Sequence, residues 1–519
     1  MSDHRSGEAP NILLILTDQH APHIAGFAGD SLVRTQHLDS LASRSFQFDG
    51  ATCASPCCTP SRMCMLTGKD VHRCSAWNNH WIIFPEHVTW PAHFAAHGYR
   101  TCLVGKMHFG GRDQMQGFQH RPYGDLRHGL GHQPDPINLF PAYSGPLGAG
   151  ITEIPESLLQ DVVVTRETIA FLLEHQDSQS RVPWFCCASY SRPHSPFTAP
   201  GRYIRRYFEQ VPPIDLPGNF KDRLEPYASN TYMGESDVDL TPEQTQRARE
   251  AYYACVDFVD DCIGELLTAL QAAGLLENTI VIYTSDHGEM AGVHGMWGKV
   301  VYFDPSVGVP LLIHGPGIEP GHHRTAQPIS LMDLYPTTCA LAGLPIPDDL
   351  DGVDFSGWLA DPAAARSPRE LAPSSYFAYG VRVRGAVSAP DDEPCHAMRL
   401  VRGHRWKYVE IEQGEPLLFD LANDPGEQVN LASQPEHADR CQAMRAELYR
   451  DFDWAQARAR LSADRQRIEQ FRSGVKPTTP NQYMLPDGRI FDAEGDLYAA
   501  RWLYLPPAPG GGIIPQQFG

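Results

Sequence analysis

Two apolar segments, each followed at once by an acidic residue, constrain the fold of this chain most. Residues 11–17 run directly into Asp18, and residues 281–284 precede Ser285 and Asp286. Strands that are apolar on both faces are typical of a buried parallel sheet. A helix with a Thr-Pro-Glu-Gln capping box at 241–244 precedes the second segment, which is a βαβ pattern. Because ligands bind at the carboxyl ends of such strands, the two acidic ends predict one shared site.

Length and charge exclude some classes of function. A chain of 519 residues predicts one large α/β domain and a smaller one. The formal net charge of -20 argues against a nucleic-acid partner, although an anionic substrate needs only a locally positive cleft. The polar start has no pattern of a secretory signal, and no apolar run reaches membrane-helix length. We therefore expect a cytoplasmic protein with no membrane contact, whose thirteen cysteines are mostly buried thiols.

The chain changes character towards its C-terminus. Residues 360–395 mix Pro, Ala, Ser and Arg and look like a loop or linker, whereas residues 398–408 and 416–421 resemble strands of a small antiparallel sheet. The tail at 475–519 is rich in Pro and Gly. We predict a catalytic α/β domain over residues 1–394. A C-terminal subdomain with a small antiparallel sheet and an extended tail is predicted over residues 395–519.

The sharpest motif is Cys-Thr-Pro-Ser-Arg at 58–62, followed by Leu-Thr-Gly-Lys at 66–69. This pattern resembles the signature of the sulfatase family within the alkaline phosphatase superfamily. The resemblance implies that a formylglycine-generating enzyme oxidises Cys58 to formylglycine, whose hydrate supplies the attacking hydroxyl. Arg62 lies one turn further along the predicted helix and is expected to point back and orient the nucleophile. The alternative is that Cys58 is a buried thiol before a helix that begins near Pro60.

The resemblance also implies a metal site. Its expected ligands are Asp18, Gln19, Asp286 and His287, together with the oxygen on residue 58, and oxygen ligands suit a hard divalent cation. Sulfatases that bind calcium commonly have Asp-Asp and Asp-Asn pairs. The Asp-Gln and Asp-His pairs here look like those of choline sulfatases and phosphonate monoester hydrolases, some of which use manganese. We expect one Ca²⁺ or Mn²⁺ ion; the alternative is that Asp18 and His287 only cap helices.

Further motifs resemble the family's sulfate-binding and leaving-group residues. Lys106 is expected to neutralise a sulfate oxygen, and His108 to take a proton from the second formylglycine hydroxyl. His194, in a Pro-His-Ser-Pro segment, and Lys299 are expected to meet the departing ester oxygen. An asparagine near the nucleophile completes the expected catalytic set: Asn79 matches best, with Asn78 one residue away.

These motifs predict an alkaline-phosphatase-like α/β/α sandwich with a large, mainly parallel mixed sheet and a small C-terminal α+β domain. The expected activity is that of a sulfatase of arylsulfatase type, acting on small-molecule sulfate esters. The alternative is a phosphonate monoester or phosphodiester hydrolase using the same site. A catalytically silent binding protein of this fold would have lost Cys58, Arg62 or a ligand, and none is missing. We also expect a homo-oligomer.

Overall fold

The computed structural model of the chain describes residues 9–79, 81–110, 113–122, 125, 145–152, 154–177, 182–214, 240–363, 367–377, 397–412, 414–472, 482–484 and 490–492. The predicted domain boundary at 394 and 395 lies outside these residues, as does most of the predicted tail at 475–519. No helix among the described residues is long and apolar enough to cross a membrane.

The central element is a seven-stranded sheet with the order β3-β5-β1-β7-β8-β2-β9. Its strands are β1 (Asn11–Asp18), β2 (Phe46–Thr52), β3 (Arg100–Gly105), β5 (Trp184–Pro193), β7 (Thr279–Ser285), β8 (Leu311–His314) and β9 (His323–Ser330). β8 runs antiparallel to β7 and β2, and the other neighbouring pairs are parallel. The prediction of a large, mainly parallel mixed sheet is therefore confirmed.

Both faces of this sheet are covered, as the apolar sequence of β1 requires. Ile12, Leu14 and Leu16 join one buried cluster, whereas Leu13 and Ile15 join a second cluster on the opposite face. On the first face pack α2 (Cys58–Thr67), α4 (Trp90–Ala96) and α9 (Leu334–Leu341); on the second pack α1 (Gln36–Ala42), α5 (Gln160–Asp177) and α7 (Pro242–Ala272). Successive side chains of a strand point to opposite faces, so the result is the predicted α/β/α sandwich.

Helix α7 begins as the sequence predicts. The Thr241 hydroxyl accepts a hydrogen bond from the Gln244 backbone N–H, and the Gln244 side-chain oxygen accepts one from the Thr241 backbone N–H. Gly274, with a φ of 68°, follows the end of the helix in the left-handed conformation that favours glycine. The capping residues thus fix both ends of the helix that leads into β7.

Shorter elements complete the sandwich. The helices are α3 (Val71–Cys74), α6 (Gly201–Tyr207), α8 (Asp304–Val307) and α10 (Ser356–Ala360), and β4 (Gly150–Ile151) pairs with β6 (Thr198–Ala199). Near the C-terminus, α12 (Trp454–Arg472) packs Leu461 against the first cluster. A further pair consists of β14 (Gln482–Met484) and β15 (Ile490–Asp492).

A four-stranded antiparallel sheet forms the smaller C-terminal unit, as predicted. It consists of β10 (Ala372–Tyr376), β11 (Met398–Arg402), β12 (Trp406–Ile411) and β13 (Leu417–Asp420), with α11 (Ala438–Leu448) packed against it. The interpretation of residues 360–395 as loop or linker is wrong at β10. Tyr376 pairs with Met398 across the ladder, and this pairing between distant segments leaves no local periodicity in the sequence.

Candidate active site

The two acidic strand ends lie side by side. β1 and β7 are parallel neighbours in which Thr17 is opposite Ser285, and the Asp286 backbone N–H donates to the Thr17 carbonyl at 3.2 Å. Asp18 and Asp286 therefore leave the same edge of the sheet at the same level. This is the meeting point that the sequence predicts.

Four buried side chains converge at this edge in a way that suits a divalent cation. Asp18, Cys58, Asp286 and His287 each place one ligand atom within 4.8 Å of the others. His287 Nδ1 lies 3.0 Å from the Gly288 carbonyl, which can only accept, so Nδ1 carries the proton. The Nε2 atom faces the carboxylates, 3.8 Å from Asp18 Oδ1 and 3.6 Å from Asp286 Oδ1. Burial opposes the charge of the imidazole, but Asp286 and Cys58 outweigh burial and raise the His287 pKa. Two carboxylates and an imidazole are ligands that fit such an ion.

Cys58 is the first residue of α2, and Cys57 is the N-cap. The helix therefore begins two residues before Pro60, near which the alternative interpretation placed its start. Cys58 Sγ lies 3.1 Å from His287 Nε2 and 3.9 Å from Asp18 Oδ1. Burial and the Asp18 charge oppose ionisation of the Cys58 thiol. The cations Lys299, Lys106 and His287 outweigh them and lower its pKa below the usual value.

Asn79 contacts the same end of α2. Its side-chain oxygen accepts a hydrogen bond from the Thr59 backbone N–H at 2.9 Å and one from the Cys57 thiol at 3.1 Å. Asn79 thus satisfies one of the amide groups that a helix N-terminus leaves without an intrahelical partner. Of the two candidate asparagines, Asn79 contacts the residues on either side of Cys58 at the start of α2.

Arg62 binds the acidic residues of the site. Its Nε donates to Asp286 Oδ2 at 2.7 Å, and a terminal nitrogen donates to Asp18 Oδ2 at 3.1 Å. Burial opposes the charge of this fully buried guanidinium, but the Asp286 and Asp18 carboxylates outweigh it and raise the Arg62 pKa. Because Arg62 binds the Oδ2 atom of each carboxylate, the Oδ1 atoms face the cluster of potential ligands. In this geometry Arg62 contacts the two carboxylates, and its orientation of the nucleophile stays a prediction.

Lys106 follows β3 directly, and its Nζ forms an ion pair with Asp18. Burial raises the Asp18 pKa, but the neighbouring cations, Lys106 foremost and Arg62 beside it, outweigh burial, so the pKa lies well below its usual range. Asp18 is therefore ionised at neutral pH.

His108 is buried in the next turn, with a φ of 57°. Its backbone N–H donates to the Asp125 carboxylate at 3.1 Å, and its carbonyl accepts the Thr59 hydroxyl at 2.9 Å. Asp125 is itself bound by Arg121 at 2.7 Å. These contacts fasten the His108 turn to the start of α2.

His194 and Lys299, which the sequence pairs, are in contact. His194 Nε2 lies 2.9 Å from Lys299 Nζ, and Lys299 also donates to the side-chain oxygen of Gln19. The Gln19 amide nitrogen in turn donates to Glu289. Gln19 is buried and has a φ of 68°, a conformation that residues other than glycine rarely adopt. Because its amide oxygen meets Lys299, its place among the metal ligands stays a prediction.

Three residues of this arrangement were not found from the sequence. Glu289 could have been noticed, because it follows Asp286 and His287 within the same short segment. Ser189, whose hydroxyl accepts from Arg62 at 3.1 Å, and Asp125 carry no local signal. Both act through contacts between residues far apart in the sequence.

Known proteins resemble this chain over most of its length. A family model for sulfatases matches residues 10–344, and one described as N-sulphoglucosamine sulphohydrolase, C-terminal, matches residues 292–453. A choline-sulfatase of Rhizobium meliloti (strain 1021) is 30% identical over 454 residues, covering 82% of this chain and 83% of that protein. An ulvan-active sulfatase of Formosa agariphila is 31% identical over 440 residues, covering 82% and 78%.

Solved structures share the fold at lower identity. The phosphonate monoester hydrolase of Agrobacterium radiobacter aligns with a TM-score of 0.69 at 21% identity, covering 93% of this chain and 99% of that chain. A structure of BT4656 in complex with its substrate D-glucosamine-2-N,6-O-disulfate aligns with the same TM-score at 20% identity, covering 91% and 99%.

An α/β/α sandwich of alkaline-phosphatase type, with acidic residues at two strand ends and a cysteine opening a helix between them, defines a class of hydrolases. With a family match across residues 10–344, this chain belongs to the sulfatase family. It is a sulfuric ester hydrolase.

Proposed function

We propose that this sulfatase cleaves small-molecule sulfate monoesters, in the manner of an arylsulfatase, with a formylglycine derived from Cys58 and one divalent metal ion. The observation that carries the proposal is the position of Cys58. Its Sγ atom lies at the start of α2 and 3.1 Å from His287 Nε2, inside the buried cluster of potential ligands. A covalent nucleophile needs to stand within reach of groups that activate it.

The metal would be held by Asp18, Asp286 and His287, with Gln19 and the oxygen on residue 58 as further ligands. When bound, the ion supplies positive charge for a sulfate oxygen and for the nucleophile. Ca²⁺ and Mn²⁺ are both candidates; the His287 nitrogen favours Mn²⁺.

We assign the remaining catalytic roles to residues of the chain itself. Formylglycine supplies an oxygen nucleophile at position 58, where Asn79 and the first turn of α2 fix its place. Lys106, paired with Asp18, is positioned to neutralise a sulfate oxygen. His108, in the adjoining turn, is the proposed acceptor of a proton from the second hydroxyl. His194 and Lys299 are the proposed partners of the departing ester oxygen.

A second candidate is a phosphonate monoester or phosphodiester hydrolase that uses the same site. The Asp18-Gln19 and Asp286-His287 pairs favour it, because they look like those of the phosphonate enzymes. The Cys-Thr-Pro-Ser-Arg motif at 58–62 has the sulfatase form, so the sulfate ester remains the main proposal. Both anions present similar tetrahedral oxygens, and some activity on each is expected.

One comparison of rates tests the two candidates. Hydrolysis of an aryl sulfate and of an aryl phosphonate monoester would be measured with fully modified enzyme, once with Ca²⁺ and once with Mn²⁺. We expect the larger kcat/KM for the sulfate. A larger value for the phosphonate with both ions would transfer the assignment to the second candidate.

The cellular setting is also a proposal. We propose that the chain acts in the cytoplasm, is matured there by a formylglycine-generating enzyme, and assembles as a homo-oligomer. Support for a reducing compartment comes from the cysteines in the described part of the chain, which are all free thiols.

A further inference from the structure

We propose that Glu289 is a positioning residue for leaving-group departure. It fixes the side-chain amide of Gln19 and, through Gln19, holds the Lys299 ammonium against His194. This role rests on the proposed function of the same site. It adds a residue that lies outside the cluster of Asp18, Cys58, Asp286 and His287 and contacts the site through Gln19.

The contacts of Glu289 suit a fixed acceptor. Its side chain is fully buried. Oε1 accepts the backbone N–H groups of Ala291 at 2.8 Å and Gly298 at 2.6 Å, and Oε2 accepts the side-chain amide of Gln19. All three partners are donors, and together they bind both oxygens of the carboxylate. Gly298 immediately precedes Lys299, so its hydrogen bond links Glu289 to the Lys299 loop.

The donors and acceptors of Glu289, Gln19 and Lys299 determine which atom donates in each hydrogen bond. A lysine ammonium has donors only, so the amide atom of Gln19 that faces Lys299 must be the oxygen. The amide NH₂ group then faces Glu289, which must accept. A glutamine amide could otherwise turn by half a rotation with almost no change in shape. With Glu289 on one side and Lys299 on the other, only one orientation satisfies both neighbours.

The same logic extends to His194. Its Nδ1 lies 2.6 Å from the Ser195 carbonyl, which can only accept, so Nδ1 carries the proton. Nε2 is therefore the acceptor of the Lys299 contact at 2.9 Å. The Lys299 ammonium thus lies between two acceptors, Gln19 Oε1 and His194 Nε2. We infer that Lys299 carries the positive charge presented to the departing oxygen, and that Glu289 keeps it there.

The test uses Glu289→Gln, which keeps the size of the side chain but removes its charge and lets it donate. The kcat/KM values would be measured for a series of aryl sulfates whose phenols differ in pKa. We expect a loss of about tenfold or more for the least acidic phenols and less than about threefold for nitrophenyl sulfate. The plot of log kcat/KM against phenol pKa should therefore become steeper.

A double-mutant comparison separates positioning from a general structural effect. In a Lys299→Ala background, Glu289→Gln should cost little more for any ester, because the ammonium it positions is gone. Glu289→Asp, which keeps the carboxylate on a shorter arm, should fall between wild type and Glu289→Gln. It also serves as the test variant if Glu289→Gln fails to fold.

Glu250→Gln is the matched control. Glu250 is also buried, and it accepts a glutamine amide from Gln246 at 2.9 Å and a backbone N–H from Glu209 at 2.8 Å. It lies on α7, outside the cluster of Asp18, Cys58, Asp286 and His287. This variant should leave the slope unchanged.

Metal content per chain and the midpoint of thermal unfolding would be recorded for every variant. Metal content should stay at the wild-type value in Glu289→Gln, because Asp18, Asp286 and His287 are unchanged and would still hold the ion. Parallel plots, additive losses with Lys299→Ala, or loss of metal would each overturn the role of Glu289. A wild-type enzyme that hydrolyses no sulfate or phosphonate ester would count against the proposed function instead.

Discussion

His287 Nε2 lies 3.1 Å from Cys58 Sγ, although 229 residues separate them in the chain. One residue follows the end of β7, and the other opens α2. The contact exists because the parallel strands β7 and β1 end at the same edge of the sheet, and the first turn of α2 packs against that edge. It places Cys58, the proposed nucleophile precursor, within the group of potential metal ligands, and the predictions below follow from that arrangement.

Removing the nucleophile precursor should abolish most of the activity. Cys58→Ala is expected to lower kcat for nitrophenyl sulfate by several powers of ten, as removal of a covalent nucleophile does. Cys57→Ala is the matched control, since Cys57 is also buried and contacts Asn79 rather than His287. Steady-state kinetics with equal amounts of folded protein would measure both. Equal losses in the two variants would contradict the assignment of Cys58.

Metal and activity should be lost together when Asp286 is removed. Asp286→Ala deletes one of the two carboxylates of the cluster and leaves Asp18 as the remaining carboxylate partner of the Arg62 guanidinium. The metal content would be determined by elemental analysis of the purified protein. Asp333→Ala is the control, because Asp333 is buried but binds Arg369 instead, and it should keep its metal. A full metal content in Asp286→Ala would show that the ion is bound elsewhere.

His194 and Lys299 should matter unequally across substrates. A phenol of low pKa departs without help, whereas a poor leaving group needs a cation or a proton on its oxygen. His194→Ala and Lys299→Ala should therefore slow esters of poor leaving groups far more than nitrophenyl sulfate. The slope of log rate against leaving-group pKa would be compared with that of wild type. If His194 only shaped its loop, and Lys299 only made an ion pair worth under about 1 kcal/mol, the plots would be parallel.

The carboxyl of Asp260 should make stability depend on pH. Burial raises its pKa to about 8, against the lowering effect of the His37 and Leu38 backbone N–H groups. The folded state then holds a proton that the unfolded state releases near pH 4. The free energy of unfolding should fall as pH rises from about 4 to about 8. Denaturant titrations of wild type and Asp260→Asn would measure this, and the variant should show a flatter profile over that range. An unchanged profile would contradict the raised pKa.

Much of the site follows from local sequence, because its residues sit where strands and helices end. The apolar run of β1 and the acid that ends it predict both the sheet and the position of Asp18. Cys58 carries its own motif, and the segments of His194 and Lys299 resemble family motifs whose residues act together. These features depend on a few neighbouring residues, which sequence patterns express directly.

Other features depend on contacts that no local pattern contains. The binding of Arg62 to Asp286 and Asp18 arises only when α2 docks on the sheet. Strand β10 forms by pairing with β11, and its own segment looks like a linker. Glu289 is recognised by the Gln19 amide, 270 residues away. In each case the partner is supplied by tertiary structure, which overrides or completes the local preference.

The most direct test of the account is to measure the state of residue 58 and the activity on the same samples. The protein would be produced with and without a formylglycine-generating enzyme, and mass spectrometry of the peptide containing residue 58 would give the modified fraction. Nitrophenyl sulfatase activity should rise in proportion to the fraction that carries formylglycine or its hydrate, and should approach zero with it. Full activity in a sample whose Cys58 is entirely unmodified would contradict the account.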